Sequence, residues 1–522
     1  MVMNMSIRRM LALAFTAAYA AVFAVSVSNP YAWWLLALLV PLNVVLAHNL
    51  LQRKHAILRN YPLLGYLRYF FESIRPEMRQ YFFESDLDGK PFSRRQRSIV
   101  YQRAKNVKQT VPFGMQSNSQ ELGYEWIAHA MFPAHANLTD LRVNVGSSRC
   151  SQPYNASILN ISAMSYGSLS KTAVMALNGG ARLDNFAHNT GEGGISPFHL
   201  QEGGDLIWQI GTGYFGCRNK DGNFDEKLFQ EQAAHPNIKM IELKLSQGAK
   251  PGHGGILPAA KNTPEIAAIR KVEPHTTVAS PPSHSAFSDQ FTLLLFIEKL
   301  RVLADGKPIG IKLCLGNKDE FERLCQEMKH NNLFPDFIAI DGAEGGTGAA
   351  PLEFTDSLGM PLNDALSFVH QRLQYYGLRK EIKLIAAGKI ITGIDIIKTI
   401  SLGADMCYSA RGFMFSLGCI QALQCDSGKC PVGIATQEKS LYKGLDVSDK
   451  KVRVANFHRN TIKATIEVME ACGFASLEDI SADKVFRRVE QGKNLSFGQI
   501  YFNQTGNHSG NSLTKGHNLI PN

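Results

Sequence analysis

At 522 residues the chain is long enough for one large catalytic domain with an appendage, or for two or three smaller domains. The net charge of +10 comes without a long Lys/Arg tract interleaved with aromatics, which argues against nucleic-acid binding and for contact with a membrane. Nine cysteines, an odd number at low density, argue against a disulfide scaffold and suit a reducing compartment.

Residues 10–27 and 31–47 carry no charged side chain. At ~1.5 Å per residue each approaches the roughly 30 Å thickness of bilayer hydrocarbon. Ser28, Asn29 and Pro30 form a turn signal between them. Arg8 and Arg9 precede the pair and Arg53, Lys54 and Arg59 follow it, so the positive-inside rule puts both ends in the cytoplasm. Residues 1–55 therefore read as a transmembrane helical hairpin in the inner (cytoplasmic) membrane, with the catalytic domain facing the cytoplasm. A cleaved signal peptide followed by a buried helix is the alternative. Residues 56–145 read as a juxtamembrane lead-in: an aromatic and basic stretch over 60–109, suited to headgroups or to packing on the next domain, then short strands.

From 146 to 503 short β-rich runs alternate with helical patterns. The runs are 156–164, the region around 185–194, 206–215, 238–246, 308–316, 337–346, 382–390 and 404–412. Eight such units point to a (β/α)8 barrel of the TIM type, with its active site at the C-terminal ends of the strands. A doubly wound open sheet is the structural alternative, but no GxGxxG follows the first strand. The polar, Gly/Asn-rich residues 504–522 read as a flexible tail.

Polar residues gather where that fold wants them. SAMSYGS (162–168) closes the first unit, and NTGEGG (189–194) closes the second with Glu192 on a glycine-rich loop. KLSQGAKPGHGG (244–255) closes the fourth and groups Lys244, Gln247 and Lys250. Lys312 lies within the fifth strand among apolar neighbours, a costly place unless it faces a carboxylate, a phosphate or a flavin. Glycine-rich runs at 342–348, 386–393 and 409–412 offer backbone N–H groups to an anion, and the loops after strands seven and eight of such barrels are a habitual phosphate site.

Just after the last strand, GCIQALQCDSGKCPVGIATQ holds Cys419, Cys425 and Cys430. Three thiols spaced by five and four residues suit a soft metal or an iron–sulfur cluster. Paired CxxC spacing, expected of tetrahedral zinc, is absent. Cys407 would be a fourth ligand but falls inside a predicted strand.

Taken together, SAMSYGSLS, NTGEGG, QGAKPGxGG, SPPSH, GGTGA at 345–349 and GC-x5-C-x4-CPVGIATQ resemble the FMN-binding domain of glutamate synthase, in the family's order, over roughly 161 to 437. The chain looks like a stand-alone member of the FMN-binding glutamate synthase family. The resemblance implies FMN at the barrel mouth and a [3Fe–4S] cluster on Cys419, Cys425 and Cys430. It implies that Ser162, Ala163, Met164 and Ser165 line the flavin, with Lys244 and Gln247 near its ring and Lys312 facing N1. The phosphate falls to Gly346, Gly388, Lys389, Ala410 and Arg411. Glu192, Lys250 and Arg270 carry over as the residues for 2-oxoglutarate.

Two departures bear on substrate: GHGGILPA stands where the family has GEGGQLPG, so His253 and Ile256 replace Glu and Gln, and AEGGTG places Glu344 where the family has Asp. No glutaminase nucleophile accompanies the motifs. The implied activity is reduction of 2-iminoglutarate, formed from 2-oxoglutarate and ammonia, to L-glutamate. Its electron donor is unspecified (a ferredoxin or a reductase subunit), and a glutaminase would be a separate protein. The alternatives are an FMN/Fe–S oxidoreductase of the same fold with another substrate, and a membrane-tethered electron-transfer protein.

Overall fold

The computed structural model describes residues 7–107, 109–135 and 140–502; the segment read as a tail lies outside them. Two compact units divide between Arg94 and Arg95.

The first unit contains α1 (Ile7–Ser26), a 3-10 turn at Pro30–Leu35 and α2 (Leu36–Leu51). Asn29 caps the turn by accepting from the Tyr31 N–H at 3.1 Å, with Pro30 at the first helical position, so the Ser-Asn-Pro signal does break the apolar run. Both segments are long and apolar enough to cross a bilayer, with mean hydropathy 1.6 over Arg9–Ser26 and 1.9 over Pro30–Leu51. Phe23, Trp34, Leu38 and Val44 stand exposed on them. Asn49, buried in α2, donates to the Pro62 carbonyl at 2.5 Å and to the Tyr66 hydroxyl at 3.2 Å, which ties α2 to α3 (Gly65–Met78). On α3, Tyr66, Leu67, Phe70 and Phe71 remain exposed.

The second unit is built on a closed barrel of eight parallel strands: β1 (Leu159–Ile161), β2 (His188–Asn189), β3 (Leu206–Ile210), β4 (Ile238–Lys244), β5 (Ile309–Leu313), β6 (Phe337–Asp341), β7 (Lys383–Ala387) and β8 (Met406–Ser409). Each falls inside one of the eight runs read from the sequence. The strands are almost wholly buried, as parallel strands covered on both faces must be, and that is why they read as apolar runs rather than alternating ones. Trp208, Phe229, Phe337, Phe413 and Phe457 are fully buried; truncating any of them to Ala would cost ~3–5 kcal/mol.

Four helices frame the site: α4 (Arg94–Lys105), α5 (Lys171–Leu183), α6 (Arg411–Leu417) and α7 (Val447–Ala471). α5 starts at Ser170, whose hydroxyl accepts from the Ala173 N–H. It lies so close to α7 that a Cβ on Gly180 would stand 2.3 Å from Val454 Cγ1, so any side chain there would part the two helices.

The lead-in from Arg95 is part of the barrel unit, whereas the sequence reading set a boundary at 145. Glu125–Ile127 pairs antiparallel with Val485–Glu490, which pairs with Lys493–Ser496. The Ala128 and Ala130 N–H groups donate to the carbonyls of Lys484 and Ala471. Pairings between the two ends of a chain leave no local pattern, so the sequence could not place them.

Candidate active site

The loop after β2 turns sharply so that Glu192 points over the strand ends. Asn189 sets the turn: its Oδ1 accepts from the Gly191 N–H at 3.0 Å, while its Nδ2 donates to Glu242 Oε1 at 2.9 Å. Gly191 has φ +67°, and a Cβ there would lie 2.5 Å from the Ser165 nitrogen, so only glycine lets the β1 and β2 loops touch. Glu242 is fully buried inside the barrel and also accepts from Gln209 Nε2 at 2.6 Å. It thus fixes β2 and β3 from below.

Lys244 ends β4 and donates to Glu192 Oε2 at 2.9 Å and to Gln247 Oε1 at 2.6 Å. Gln247 Nε2 donates to Thr347 Oγ1 at 3.3 Å. Burial opposes ionisation of Glu192, but Lys244, Arg270 and Lys250 outweigh it and hold the carboxyl below its ordinary pKa. Lys250 is buried with its ammonium 3.4 Å from the Gly254 carbonyl, and burial depresses its pKa, Glu192 opposing and Lys244 adding to the fall. Arg270, at the end of the helix Pro264–Arg270, donates to the Tyr166 carbonyl at 3.2 Å and lies 5.0 Å over the Phe215 ring. Its buried Nε has no partner, and burial brings its pKa down to about 10.

The β4–β5 register sets Lys312 beside Lys244. Lys312 faces the Asp341 carboxylate at 3.4 Å, so its costly position is met by a carboxylate. Burial works against its charge, but Asp341, Glu242 and Glu192 prevail and raise its pKa. Asp341 also accepts from the Gly248 N–H at 3.0 Å. The four buried cations Lys244, Lys250, Arg270 and Lys312 thus stand against three carboxylates, Glu192, Asp341 and the Glu242 inside the barrel. An anionic ligand is the natural complement.

The other expected flavin residues lie on the adjoining loops. Ser162, Ala163, Met164 and Ser165 leave β1, and the Ser162 N–H donates to the Ser409 carbonyl. Gly346 abuts Arg411: a Cβ there would stand 3.0 Å from the guanidinium Nε. Lys389 is exposed after β7, with φ +50°. Ala410 caps α6 without any side-chain bond to its first N–H groups. Arg411 does not simply face the loops: it donates to the Thr347 carbonyl at 2.6 Å and approaches Cys425 Sγ at 3.8 Å. Glu344 is used locally, accepting from the Leu362 N–H and capping the helix Leu362–Tyr375.

The three cysteines follow α6. Gly418 ends that helix at φ +106°, and Cys419 and Cys430 are buried while Cys425 is partly exposed. Gln421 and Leu423 adopt φ +58° and +56°, conformations that non-glycine residues hold at a cost and that concentrate at functional sites. The result at Gln421 is an N–H aimed at Cys419 Sγ, 3.5 Å away. Lys261 donates to the Cys425 carbonyl at 2.7 Å. Burial pushes the Cys419 thiol up to about 11, with Cys425 and Cys430 each adding to the rise and Arg411 opposing it. Among the described residues no three His, Cys, Asp or Glu side chains are placed to hold a single metal ion. Cys407 sits in β8 and pairs with Thr399 Oγ1 at 3.1 Å, which removes it as a fourth ligand.

Sequence reasoning missed Asp341, Thr347 and His284. His284 belongs to the quoted SPPSH motif, and its Nε2–H donates to the Lys244 carbonyl at 2.8 Å. Burial brings its pKa down to about 4, so it is a neutral brace at the end of β4. A histidine four residues after a serine and two prolines is a visible signal, but its partner lies 40 residues away.

Residues 139–475 match the conserved region in glutamate synthase. The chain is 38% identical over 491 residues to the glutamate synthase large subunit-like protein YerD of Bacillus subtilis, covering 86% of this chain and 93% of that one. It is 34% identical over 335 residues to the archaeal-type glutamate synthase (NADPH) of Thermotoga maritima, covering 62% of this chain and 60% of that one, so it spans about three fifths of that relative's length. Among solved structures, a flavocytochrome b2 mutant with pyruvate bound is similar with TM-score 0.43 and 11% identity, covering 86% of this chain and 93% of that one. With well over half of its length inside the conserved region and a relative matched nearly end to end, the chain belongs to the glutamate synthase family of oxidoreductases.

Proposed function

We propose that this chain is an FMN and iron–sulfur oxidoreductase that reduces 2-iminoglutarate, formed from 2-oxoglutarate and ammonia, to L-glutamate, and that α1 and α2 anchor it in the cytoplasmic membrane. The observation that carries the reading is the buried cationic mouth, with Lys250 and Arg270 beside Glu192 and Lys244. Two buried cations with spare donors suit the two carboxylates of a dicarboxylic acid, and Arg270 retains an unpartnered Nε. On binding, such a ligand would bring counter-charge to two residues whose pKa burial now depresses.

The loops suit a flavin phosphate: α6 begins uncapped, and Gly346 leaves the Arg411 side chain accessible from the β6 loop. Lys244, Gln247 and Lys312 would flank the ring. The thiol loop suits a cluster by its three cysteines within twelve residues and by the backbone N–H that it presents to Cys419 Sγ. When bound, FMN supplies hydride transfer and the cluster supplies one-electron relay. The chain's own part is to orient the substrate carboxylates on Lys250 and Arg270. It also holds Glu192 ionised against Lys244 and sets the Phe215 ring against Arg270.

The test is anaerobic: reduce the detergent-purified protein, add 2-oxoglutarate with ammonium, and follow flavin absorbance and glutamate. Prompt reoxidation with glutamate formed supports the reading. Ile256, half-exposed and apolar at the edge of the cationic mouth, favours a second reading in which another oxo acid is the substrate; a flavin that ignores 2-oxoglutarate and ammonium but is reoxidised by a monocarboxylic oxo acid would select it. Anchoring is tested separately, by whether alkaline carbonate strips the chain from membranes.

A further inference from the structure

We propose that α4 clamps the thiol loop and that Tyr101 is a positioning residue for the cluster; the inference rests on the cluster reading above. α6 ends at Leu417, so the Cys419 carbonyl falls beyond the helical ladder in a buried turn. Its donor comes from 318 residues away: the Tyr101 hydroxyl bonds that carbonyl at 2.5 Å. The Tyr101 ring meets Phe415 edge-on, with centroids 6.2 Å apart at 86°, and so rests on the helix that leads into the first cysteine.

α4 itself is held on its other side. Val100 and Ala104 are buried, Arg103 donates to Thr461 Oγ1 at 3.1 Å, and Asn456 and Asn460 of α7 donate to the carbonyls of Ala104 and Arg103. Those two bonds satisfy the end of α4 and leave Tyr101 aimed at the loop from a fixed support. The turn it secures is the one in which Gln421 adopts φ +58° and points its N–H at Cys419 Sγ. Among the described residues, the Tyr101 hydroxyl is the side-chain donor to the Cys419 carbonyl, and without it the neighbouring turn is freer to leave its left-handed conformation. Groups that orient a metal ligand through its own backbone or hydrogen bonds typically alter metal affinity ten- to a hundred-fold.

The test uses the full chain purified anaerobically in detergent with its iron. Tyr101→Phe keeps the ring and removes only the hydroxyl. Iron release to a chelator is expected to accelerate roughly ten-fold, and the midpoint potential and spin-resonance spectrum of the iron centre are expected to move, while the thermal midpoint stays near that of the unmodified protein. Arg103→Gln, which cuts the tie to Thr461, is expected to lower the thermal midpoint and leave the spectrum unchanged. A Tyr101→Phe protein with unmodified iron release, potential and spectrum overturns the inference alone. So does one whose faster release only follows a lower thermal midpoint, as Arg103→Gln would. An unmodified protein that holds no iron overturns the cluster reading, and this inference with it.

Discussion

At the N-terminal end of the barrel an aspartate stands immediately before β3, β6 and β8, as Asp205, Asp336 and Asp405. Asp336 is fully buried and accepts from the Ser147 N–H and hydroxyl, the Ile309 N–H and the Arg301 guanidinium. Asp405 accepts from the Leu384 N–H at 2.7 Å and pairs with Arg379 at 2.8 Å. Asp205 takes the Tyr154 hydroxyl at 2.9 Å. At the C-terminal end, four buried cations face three carboxylates, Glu192, Asp341 and Glu242, and Arg270 keeps an idle donor. One end closes its charges on neighbouring strands; the other leaves positive charge over for something that is not part of the chain. Burial alone therefore does not mark function in this barrel, whereas the balance of the buried charges does.

The largest effect that would break this contrast lies at the closed end. Asp336→Ala takes from buried Arg301 one of its two carboxylates, Glu298 being the other, and leaves the buried Ser147 and Ile309 donors without their acceptor, so it should cost ~3–5 kcal/mol, measured as a fall in the urea midpoint. A cost under about 1 kcal/mol, the range of an exposed pair, would show that the closed end is not the stabilising one. Glu192→Gln makes the opposite test at the open end. Turnover should drop on the order of 100-fold, while the urea midpoint moves by less than half the Asp336 shift, because Gln247 still holds Lys244. A variant that unfolds as readily as Asp336→Ala would place Glu192 in the scaffold.

How much of this was legible follows the same division. The eight strands could be read because each is a short apolar run ended by glycine or polar residues, and Glu192, Lys244 and Lys250 stand in motifs of fixed spacing. Asp341 lay in view within FIAIDGAEGG, but its role depends on the β5–β6 pairing that brings it to Lys312. The brace at the closed end was invisible for a stronger reason. Ser157, His458 and Asp184 are separated by 301 and 274 residues, and no local periodicity announces that they meet. Nor did the basic, aromatic character of residues 60–109 decide between headgroups and packing. Within it, α4 from Arg95 packs on the barrel unit, while Tyr66, Phe70 and Phe71 of α3 stay exposed.

A pH titration sharpens the open end. His284 has a folded pKa of about 4, lowered by burial and by Lys244, against an unfolded value near 6.5. Between those values the unfolded chain binds the extra proton, so this contribution to stability is complete above ~6.5 and is lost as pH falls toward ~4. Protonation would also set a cation beside Lys244. His284→Gln keeps an amide donor for the Lys244 carbonyl but does not titrate, so its unfolding free energy should fall less steeply over that window. Equal slopes in the two proteins would remove His284 as the source of acid sensitivity.

The smallest effect returns to the closed end, where geometry alone invites a wrong assignment. Ser157 Oγ lies 2.9 Å from His458 Nε2, and His458 Nδ1 lies 2.6 Å from Asp184 Oδ2, the connectivity of a nucleophilic triad. Yet Ser157 is fully buried ahead of β1, the His458 ring is stacked 4.0 Å from Phe186, and Arg459 also pairs with Asp184. No substrate carbonyl reaches the hydroxyl, and each partner is satisfied by its neighbour. The arrangement is a brace between α7, the end of α5 and the first strand. Ser157→Ala should therefore cost on the order of 1 kcal/mol in unfolding experiments, with turnover unchanged. A fluorophosphonate probe should leave Ser157 unlabelled in the folded protein. Labelling there would mean that the closed end opens, and would make the balance of charge a poorer guide to function than accessibility.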